Sequence, residues 1–516
     1  MQRTAQKNIL ACGREGRVPM SIMSPMYFLL LGILILIYYR LSQKNQWKLL
    51  LAGSLIFVAS YNVKFLIFLV ISAWSIWAAG RKLEAVQTSG GTGEKQGKRA
   101  GRRILLLTVG VNLGILIALK YCAPWVRREL MGLESPLGIF IPLGISYYTL
   151  QAISYVMDVY WGRIRAEASF LKLLLYLSYF PQILQGPISR YGDLSRELFE
   201  KEHLLDMRNL KHGVQRILWG MVQMTVFADF LAAELPAVST QFYGLAMFVG
   251  LALFGLQLYC NFSGGIDLIL GVSQCFGITL PENFRQPFFS KSLGEFWRRW
   301  HMTLGAWMKD YVFFPLSMSH GASRLKKSLK KRVSRKTANR IVMAGADVIV
   351  FLLVGIWHGT GLNYAIWGLY NGLILAFSEL MADRYQKAKT GLHIDVRSRW
   401  WQGFCLMRTF VVVTLGWSTD CAATALGTWE LIRNLFLLQK TNLGLYSIGA
   451  FHLLVLAFIL VTMLVVGILR EKGHSVRDLL DRAPFWVQVL FWVAVIQVIG
   501  LMGKYGASGG LMYANF

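Results

Sequence analysis

Residues 353–372 read LVGIWHGTGLNYAIWGLYNG, an apolar stretch dotted with glycine that carries a single histidine, His358. Such a run is typical of a helix in lipid, where an unpaired polar group costs several kcal/mol. The imidazole therefore needs a partner or a function, and an ionisable side chain at membrane depth indicates a functional site. Gly355, Gly359 and Gly361 remove side chains beside it, which would leave room for a substrate to pass.

The second half of the same stretch carries a stripe of small residues. They recur at i, i+4, i+7 and i+11, as Gly361, Ala365, Gly368 and Gly372. Small residues on one helix face let a second helix approach closely within a membrane. We therefore expect a tight helix–helix contact next to the histidine.

The composition of the whole chain indicates a membrane protein. Of its 516 residues, 55% are hydrophobic and only 16% are charged, and the mean hydropathy is +0.45. A spanning helix needs about 20 apolar residues. The candidate spans lie at 25–39, 49–60, 62–79, 104–121, 137–160, 170–186, 213–233, 243–276, 342–380, 402–417, 449–469 and 485–502. We predict an all-α polytopic membrane protein with roughly eleven crossings, in which the shorter runs form re-entrant or interfacial helices.

The net charge is +27, from 54 basic and 27 acidic side chains, which on a soluble protein would suggest nucleic acid. Here the charge falls between apolar runs, in two basic loops at 80–103 and 322–340. Nine basic residues and no acidic residue lie between Arg324 and Arg340. Basic loops face the cytoplasm in membrane proteins. We therefore place both loops in the cytoplasm, expect the Gly, Lys and Ser-rich part 83–101 to be a flexible connector, and reject nucleic acid as a partner.

One membrane domain, residues 25–516, is expected to follow a polar N-terminal prefix, residues 1–24. The first apolar run lacks a cleavage signal, so it should remain as a membrane anchor. The six cysteines are scattered and include no Cys-x-x-Cys pair, which indicates neither a zinc site nor a disulfide framework. We predict no metal and no tightly bound cofactor.

The segment 280–315 mixes aromatic with charged residues and predicts a second polar site. Ser292 and Glu295 have the spacing of a capping box, so a helix should begin near Leu293 and end before Pro315. Its charged residues cannot all face lipid, so it must lie at an interface or line a water-filled cavity. On one helix face we expect Trp297, Arg298, His301, Gly305 and Met308. The alternative is an aromatic belt whose basic residues meet lipid phosphates.

Of the eight histidines, His301 and His358 are the two expected at membrane depth. Five occupy polar, loop-like or surface-like contexts, and one begins an apolar run at an interface: His203, His212, His320, His393, His474 and His452. Metal binding would need histidine spacings that the chain lacks, and a proton relay would need accompanying carboxylates. General-base catalysis fits best, because a neutral imidazole can accept a proton from a hydroxyl near neutral pH. No Gly-x-Ser-x-Gly motif is present, so the base would activate an acceptor hydroxyl directly.

Two segments, FWRRWHMTLGAWMKDY (296–311) and GIWHGTGLNYAIWGLYNG (355–372), closely resemble the membrane-bound O-acyltransferase family. Three more segments share this resemblance: LPENFRQPFFSKS (280–292), LGISYYTLQAISYVMDVYWG (143–162) and SYFPQILQGPISRY (178–191). It extends from about residue 25 to the end of the chain. It implies a multi-helix disc with a funnel around a central cavity, His358 as the catalytic residue and His301 as a second functional histidine. We expect the remaining cavity residues to be Trp297, Arg298, Gly305, Asp310 and Asn363.

The resemblance implies that an acyl group crosses the membrane, from a cytoplasmic thioester, acetyl-CoA or an acyl carrier protein, to a hydroxyl of a surface polysaccharide. The segment 143–162 and the tail GASGGLMYANF (506–516) are more similar to alginate-type polysaccharide O-acetyltransferases than to D-alanyl transferases of lipoteichoic acid. CNFSGGIDL (260–268) departs from the alginate-type pattern, although Asp267 keeps its place. The alginate-type enzymes rely on a separate extracytoplasmic acetyltransferase, so we expect such a partner besides membrane lipids. We expect the protein itself to lie in the inner or plasma membrane.

Two other classes of function remain open at this stage. A transporter that exports an acyl donor or a lipid-linked sugar would use the same polar cavity without needing His358 as a base. A scaffold for a polysaccharide synthase would need neither histidine. Transfer of an acyl label by the protein would favour the enzyme over both.

Overall fold

The computed structural model describes residues 20–88, 94–122, 142–234, 238, 240–422, 424–437 and 449–503. Within these ranges the elements are helices, and the strand-like pairing is a single antiparallel bridge between Phe284 and Trp300. The first half contains α1 (Pro25–Tyr38), α2 (Gln43–Tyr61), α3 (Phe65–Thr88), α4 (Glu94–Ile117), α5 (Ile145–Tyr160), α6 (Phe170–Ser178), α7 (Tyr191–Ser195), α8 (Met207–Met221), α9 (Asp229–Glu234) and α10 (Gly244–Cys275). The second half contains α11 (Leu293–Arg299), α12 (Met302–Met308), α13 (Phe314–Ser317), α14 (His320–Leu329), α15 (Arg335–His358), α16 (Leu362–Gly391), α17 (Arg399–Gly416), α18 (Ser418–Cys421), α19 (Ala425–Leu435), α20 (Ala450–Glu471), α21 (Val476–Asp481) and α22 (Phe485–Met502). Four π-helical turns, Ala118–Cys122, Arg196–Glu200, Val222–Ala228 and Lys309–Phe313, and one 3₁₀ turn, Pro287–Phe289, complete the described helices.

The length and composition of these helices confirm a multi-pass membrane protein. Among the described residues, eight helices are long and apolar enough to cross a bilayer: Phe65–Thr88, Gln96–Cys122, Met207–Ala233, Gly244–Cys275, Arg335–His358, Leu362–Gly391, Ala450–Glu471 and Phe485–Met502. Large apolar side chains on the last two, such as Leu454 and Leu490, are exposed, as expected for a surface in contact with lipid. The prediction of roughly eleven crossings counted shorter helices as well, and it stays a prediction.

The predicted span 170–186 is shorter than expected, because α6 ends at Ser178 and the chain continues without regular structure to Arg190. This stretch is buried, so its backbone groups need partners inside the protein. The Phe180 N–H donates to Ser54 Oγ at 3.1 Å. The Ile188 N–H donates to Thr303 Oγ1 at 3.1 Å. Irregular backbone is thus stable here because side chains replace the missing helical hydrogen bonds.

The predicted span 342–380 is in fact a hairpin of two helices, α15 and α16, which separate at Gly359–Gly361. Their backbones are too close for side chains at the contact. A Cβ on Gly368 would lie 2.4 Å from the Phe351 carbonyl oxygen, and one on Gly355 would lie 2.2 Å from the Tyr364 carbonyl oxygen. The small-residue stripe therefore does face a helix at close range, and that helix is the one that carries His358.

The predicted single helix from Leu293 to Pro315 was wrong, because the chain leaves the helix at Trp300 and His301. The cause lies upstream, where residues 283–285 pair with residues 299–302 in the manner of two strands. The Arg285 N–H donates to the Arg299 carbonyl at 2.9 Å, and the Met302 N–H donates to the Asn283 carbonyl at 2.9 Å. The continuous helix face expected for Trp297, Arg298, His301, Gly305 and Met308 therefore does not exist.

The capping interaction at the start of α11 was predicted correctly in part. The Glu295 N–H donates to Ser292 Oγ at 3.1 Å, as a capping serine requires. The Glu295 carboxylate instead accepts from the Lys291 N–H at 2.9 Å, one residue before the expected position. The local signal thus marked the helix start but not its end.

The two basic segments are largely helical rather than loops, which corrects the prediction. Residues 80–88 belong to α3 and residues 94–103 to α4, while α14 and the first turns of α15 occupy most of 322–340. Within the latter, Arg340 pairs with Glu379 and Asp383 of α16 at 3.3 and 2.8 Å. The expected prefix up to residue 19 and the tail 506–516 lie outside the described residues.

The contact between α15 and α16 yields a prediction with a control on the same hairpin. Gly368→Ala should destabilise the protein by about 1–3 kcal/mol, because the new methyl group overlaps the backbone of α15. Gly345→Ala, on α15, adds a methyl group where nothing lies within 4 Å, so it should not destabilise. Thermal unfolding of the detergent-solubilised variants measures both, and equal melting temperatures would contradict the packing argument.

Candidate functional site

His358 is the last residue of α15 and is 9% exposed. Its ring lies against two indoles, with centroid separations of 5.1 Å to Trp357 and 5.5 Å to Trp367. The first indole belongs to its own helix and the second to α16, so the hairpin itself forms the walls on these two sides. The imidazole is therefore held in an apolar pocket at a helix end, where backbone carbonyls are not used by the helix.

His301 lies at the break between α11 and α12 and is 4% exposed. Its backbone has φ of +48°, a left-handed conformation uncommon for a residue with a side chain. The ring stands edge-on to Phe262 of α10, with centroids 4.8 Å apart. Burial lowers the pKa of the His301 imidazole, which lies outside the eight long apolar helices. The ring is therefore neutral near pH 7.

Asn283 determines which nitrogen of His301 carries the proton. Its Oδ1 accepts from the Thr303 N–H at 3.0 Å, and a backbone N–H can only donate, so this amide atom must be the oxygen. The same Oδ1 lies 3.3 Å from Nδ1 of His301, which must therefore be the donor. In the neutral ring the other nitrogen, Nε2, then carries the lone pair.

The two predicted histidines are brought together on one indole. The Trp357 ring centroid lies 5.1 Å from that of His358 and 6.5 Å from that of His301. The residues are 57 positions apart in the chain (358 minus 301); His358 ends α15, and His301 lies at the break between α11 and α12. Their common neighbour places both imidazoles in one buried volume.

Trp297 packs against the aromatic side chains that surround the two histidines. Its ring packs on Trp367 at 5.2 Å and on Phe351 at 5.6 Å, and its Nε1–H donates to Asn371 Oδ1 at 3.1 Å. Trp367 is the indole that also contacts His358. Trp297 is thus one ring removed from the imidazole.

The other four residues expected in the cavity have different surroundings. Arg298 and Gly305 are exposed. Asp310 forms an ion pair with Arg190 at 3.0 Å. Asn363 is buried, and its amide donates to the carbonyls of Thr419 at 2.9 Å and Ala422 at 3.3 Å, which fixes the turn after α17 to the start of α16. A supporting function is the direct interpretation for Asn363.

Lys120 was missed by the sequence analysis, although it is 5% exposed and lies in the turn that ends α4. Its ammonium group donates to the carbonyl oxygen of Trp357 and lies 5.5 Å from the centroid of the Trp357 ring. The available signal was a lysine near the end of the otherwise apolar run 104–121. Only the contact of the turn Ala118–Cys122 with the end of α15 shows that this lysine belongs to the histidine site.

A separate group of potential metal ligands, His212, Asp478 and Asp481, lies away from this site. His212, which sequence analysis placed in a surface-like context, is buried and contacts Asp481 through Nε2 at 2.7 Å. Lys211 Nζ contacts the other oxygen of the same carboxylate at 2.6 Å. Lys211 and His212 hold the pKa of the Asp481 carboxyl below its usual range. The Asp481 carboxylate is thus already paired with the ammonium group of Lys211.

Comparison with known proteins places this geometry in context. The family model for membrane-bound O-acyltransferases matches residues 163–417, a range that includes both histidines. A probable alginate O-acetylase, AlgI, from Pseudomonas putida is 31% identical over 402 residues, which cover 76% of this chain and 74% of that protein. A peptidoglycan O-acetyltransferase from Helicobacter pylori is 29% identical, over 67% of each chain.

A teichoic acid D-alanyltransferase from Bacillus subtilis is also similar, at 29% identity over 53% of this chain and 67% of that protein. The alginate-type relatives therefore match a larger share of this chain than the D-alanyl transferase does, in the order that the sequence motifs predicted. The chain thus belongs to the membrane-bound O-acyltransferase family and is a multi-pass membrane O-acyltransferase.

Proposed function

We propose that this enzyme moves an acyl group, acetyl in the first instance, across the cytoplasmic membrane. The donor is a cytoplasmic thioester, acetyl-CoA or an acyl carrier protein, and the acceptor is a hydroxyl of an extracytoplasmic polysaccharide or of a partner acetyltransferase. The observation that carries the proposal is the pair of buried imidazoles against Trp357 at the end of α15.

His358 acts as the general base in this proposal. Its neutral ring accepts the proton of the acceptor hydroxyl as that oxygen attacks the thioester carbonyl carbon. The C=O electron pair moves to oxygen and gives a tetrahedral intermediate. When this collapses, the C–S bond breaks, the ester remains on the acceptor, and the imidazolium returns its proton to the leaving thiolate. No serine or cysteine of the protein is acylated in this sequence.

His301 positions the acceptor. Asn283 fixes its proton on Nδ1, so Nε2 is the atom that can accept a hydrogen bond from a hydroxyl. The Thr303 N–H fixes the orientation of the Asn283 amide, and the amide oxygen in turn fixes the tautomer of His301. A second sugar hydroxyl that donates to Nε2 would hold the acceptor so that the attacking hydroxyl keeps its own proton directed at His358, and such orientation lowers the entropic cost of reaction.

The direction of α15 supports a meeting of two substrates from opposite sides. The helix begins at Arg335, among the basic residues that favour the cytoplasm, and ends at His358, a length of 24 residues. At 1.5 Å per residue this is about 36 Å, compared with about 30 Å for the hydrocarbon core. His358 thus lies toward the side opposite the basic segment, so the acceptor has a short approach and the donor a long one.

The names of the relatives suggest the acyl group and the acceptor. The alginate and peptidoglycan enzymes are named as acetylases of polysaccharides, whereas the teichoic acid enzyme is named for D-alanyl transfer. Because the alginate-type match covers more of this chain, acetylation of a polysaccharide is the first candidate. D-alanyl transfer to teichoic acid is the second.

The acyl group can be identified in cells. A strain that lacks the gene should lose base-labile acetate from its surface polysaccharide, and the gene on a plasmid should restore it. Mild alkaline release followed by chromatography measures acetate and D-alanine in the same sample. Restoration of D-alanine instead of acetate would reverse the choice of acyl group, and an unchanged ester content would favour the transporter or scaffold alternatives.

His358→Ala should lower the rate of ester formation by roughly 10²–10⁴-fold, the usual contribution of a general base. Pulse labelling of the polysaccharide with radioactive acetate measures this rate. His474→Ala is the matched control, because this histidine is exposed and distant in the chain from the site, so its loss should leave the rate unchanged. A labelled polysaccharide in the His358→Ala strain at the wild-type rate, with equal protein in the membrane, would exclude the proposed base.

His301→Asn tests the function of the imidazole separately from the left-handed backbone conformation of residue 301. Asparagine adopts the left-handed conformation more easily than most residues, so the variant should retain the break between α11 and α12. The rate of ester formation should nevertheless fall, because the amide cannot replace Nε2 at the same position. The proposed role fails if His301→Asn is as active as the wild type, or if it loses activity only in proportion to its loss of folded protein.

A further inference from the structure

The end of α15 is capped by side chains from another helix. The last carbonyl groups of a helix have no partner within it. Here the π-helical turn Ala118–Cys122 presents two consecutive side chains to them: Tyr121 donates through its hydroxyl to the Ile356 carbonyl at 2.6 Å, and Lys120 donates to the Trp357 carbonyl. π-Helical turns occur often at functional sites. The turn brings an ammonium group to the residue before His358.

A neutral donor would be sufficient for this capping. Tyr121 satisfies its carbonyl without a charge, whereas Lys120 brings an ammonium group that is 5% exposed. Within the part of the chain that the structure describes, the acceptors of Lys120 are the Trp357 carbonyl and, at 3.4 Å, the Ser146 hydroxyl. Neither acceptor carries a full charge. Burying a cation with neutral acceptors is costly, which indicates that an anion forms or binds there.

The position of the charge identifies that anion. Lys120 Nζ lies 5.5 Å from the Trp357 ring centroid, and the same ring contacts both histidines. The acyl transfer proposed above creates negative charge on one atom, the thioester carbonyl oxygen, next to the base. An ammonium group has three N–H donors, and the two acceptors in the described residues leave one for this oxygen.

We propose that Lys120 is a further catalytic residue that stabilises the oxyanion of the tetrahedral intermediate. As the acceptor oxygen attacks and His358 takes its proton, the carbonyl electron pair moves to oxygen, and this oxygen accepts a hydrogen bond from Lys120 Nζ. When the C–S bond breaks, the pair returns to form the ester carbonyl, and the thiolate takes the proton from His358. Lys120 gives up no proton in the sequence. The inference rests on the proposed function.

The capping function competes with this one, and four variants separate them. Lys120→Arg keeps the charge, Lys120→Gln keeps a neutral donor for the Trp357 carbonyl, and Lys120→Met keeps neither. Tyr121→Phe is the matched control, because it removes the capping hydrogen bond of the neighbouring residue and no charge. Polysaccharide labelling with radioactive acetate gives the rate, normalised to monodisperse protein measured by size-exclusion chromatography.

We expect Lys120→Gln and Lys120→Met to lose about 100-fold or more in rate, the usual effect of removing one oxyanion donor. Lys120→Arg should recover part of the rate, and Tyr121→Phe should stay within a few-fold of the wild type. Equal rates for Lys120→Gln and Lys120→Arg would overturn the proposal, because a neutral cap would then be sufficient. So would a loss in Tyr121→Phe as large as that in Lys120→Met.

A ground-state anion bound by Lys120 is also distinguishable. In membrane vesicles supplied with increasing radioactive acetyl-CoA, loss of oxyanion stabilisation lowers the maximal rate of Lys120→Met and leaves the half-saturating donor concentration unchanged. A rise in that concentration with an unchanged maximal rate would assign Lys120 to a phosphate or carboxylate of the donor, and would overturn the oxyanion role. A wild-type strain whose polysaccharide carries no acyl ester would instead refute the proposed function itself.

Discussion

Helices that end inside the protein leave backbone groups that water does not reach, and the whole arrangement depends on satisfying them. At the end of α15 the donors are Lys120 and Tyr121. At the end of α18 the donor is the amide of Asn363. At the break before α12, Asn283 accepts from the Thr303 N–H. Each of these side chains replaces a helical hydrogen bond. Each also lies close to a residue of the histidine site or to the hairpin of α15 and α16.

Local patterns in the sequence were sufficient for part of this picture. His358 and the stripe of Gly368 and Gly372 were recognised because a polar residue in an apolar run, and small residues at helical spacing, are visible within 20 residues. The break at His301 was not recognised, because the local signal favours a helix and residues 283–285 override it by pairing. Lys120 required the neighbouring helix to be known. Residue patterns located both histidines and the family resemblance implied their roles, but neither indicated the groups that orient them.

The residues that support the helices and those proposed for chemistry overlap at this site. Trp357 is both the residue whose carbonyl Lys120 caps and the indole between the two histidines. Asn283 both pairs two segments and fixes the tautomer of His301. A single truncation at such a position removes two interactions at once, so loss of activity alone does not assign a role. Substitutions that keep one property and remove the other are the ones that can.

Burial of the polar groups at this site costs free energy, and it also strengthens their electrostatic interactions. The apolar cluster that contains Trp357 and Trp367 continues through Leu304 and Trp307 to Tyr311, so low-dielectric side chains surround the site over several turns. A charge in such surroundings interacts more strongly with its neighbours than it would in water. Burial of the Lys120 ammonium group therefore costs free energy in the resting enzyme, and that cost is offset when an oxyanion forms beside it. Fixed donors in a dry site need no reorganisation during reaction, which is the condition under which electrostatic stabilisation is largest.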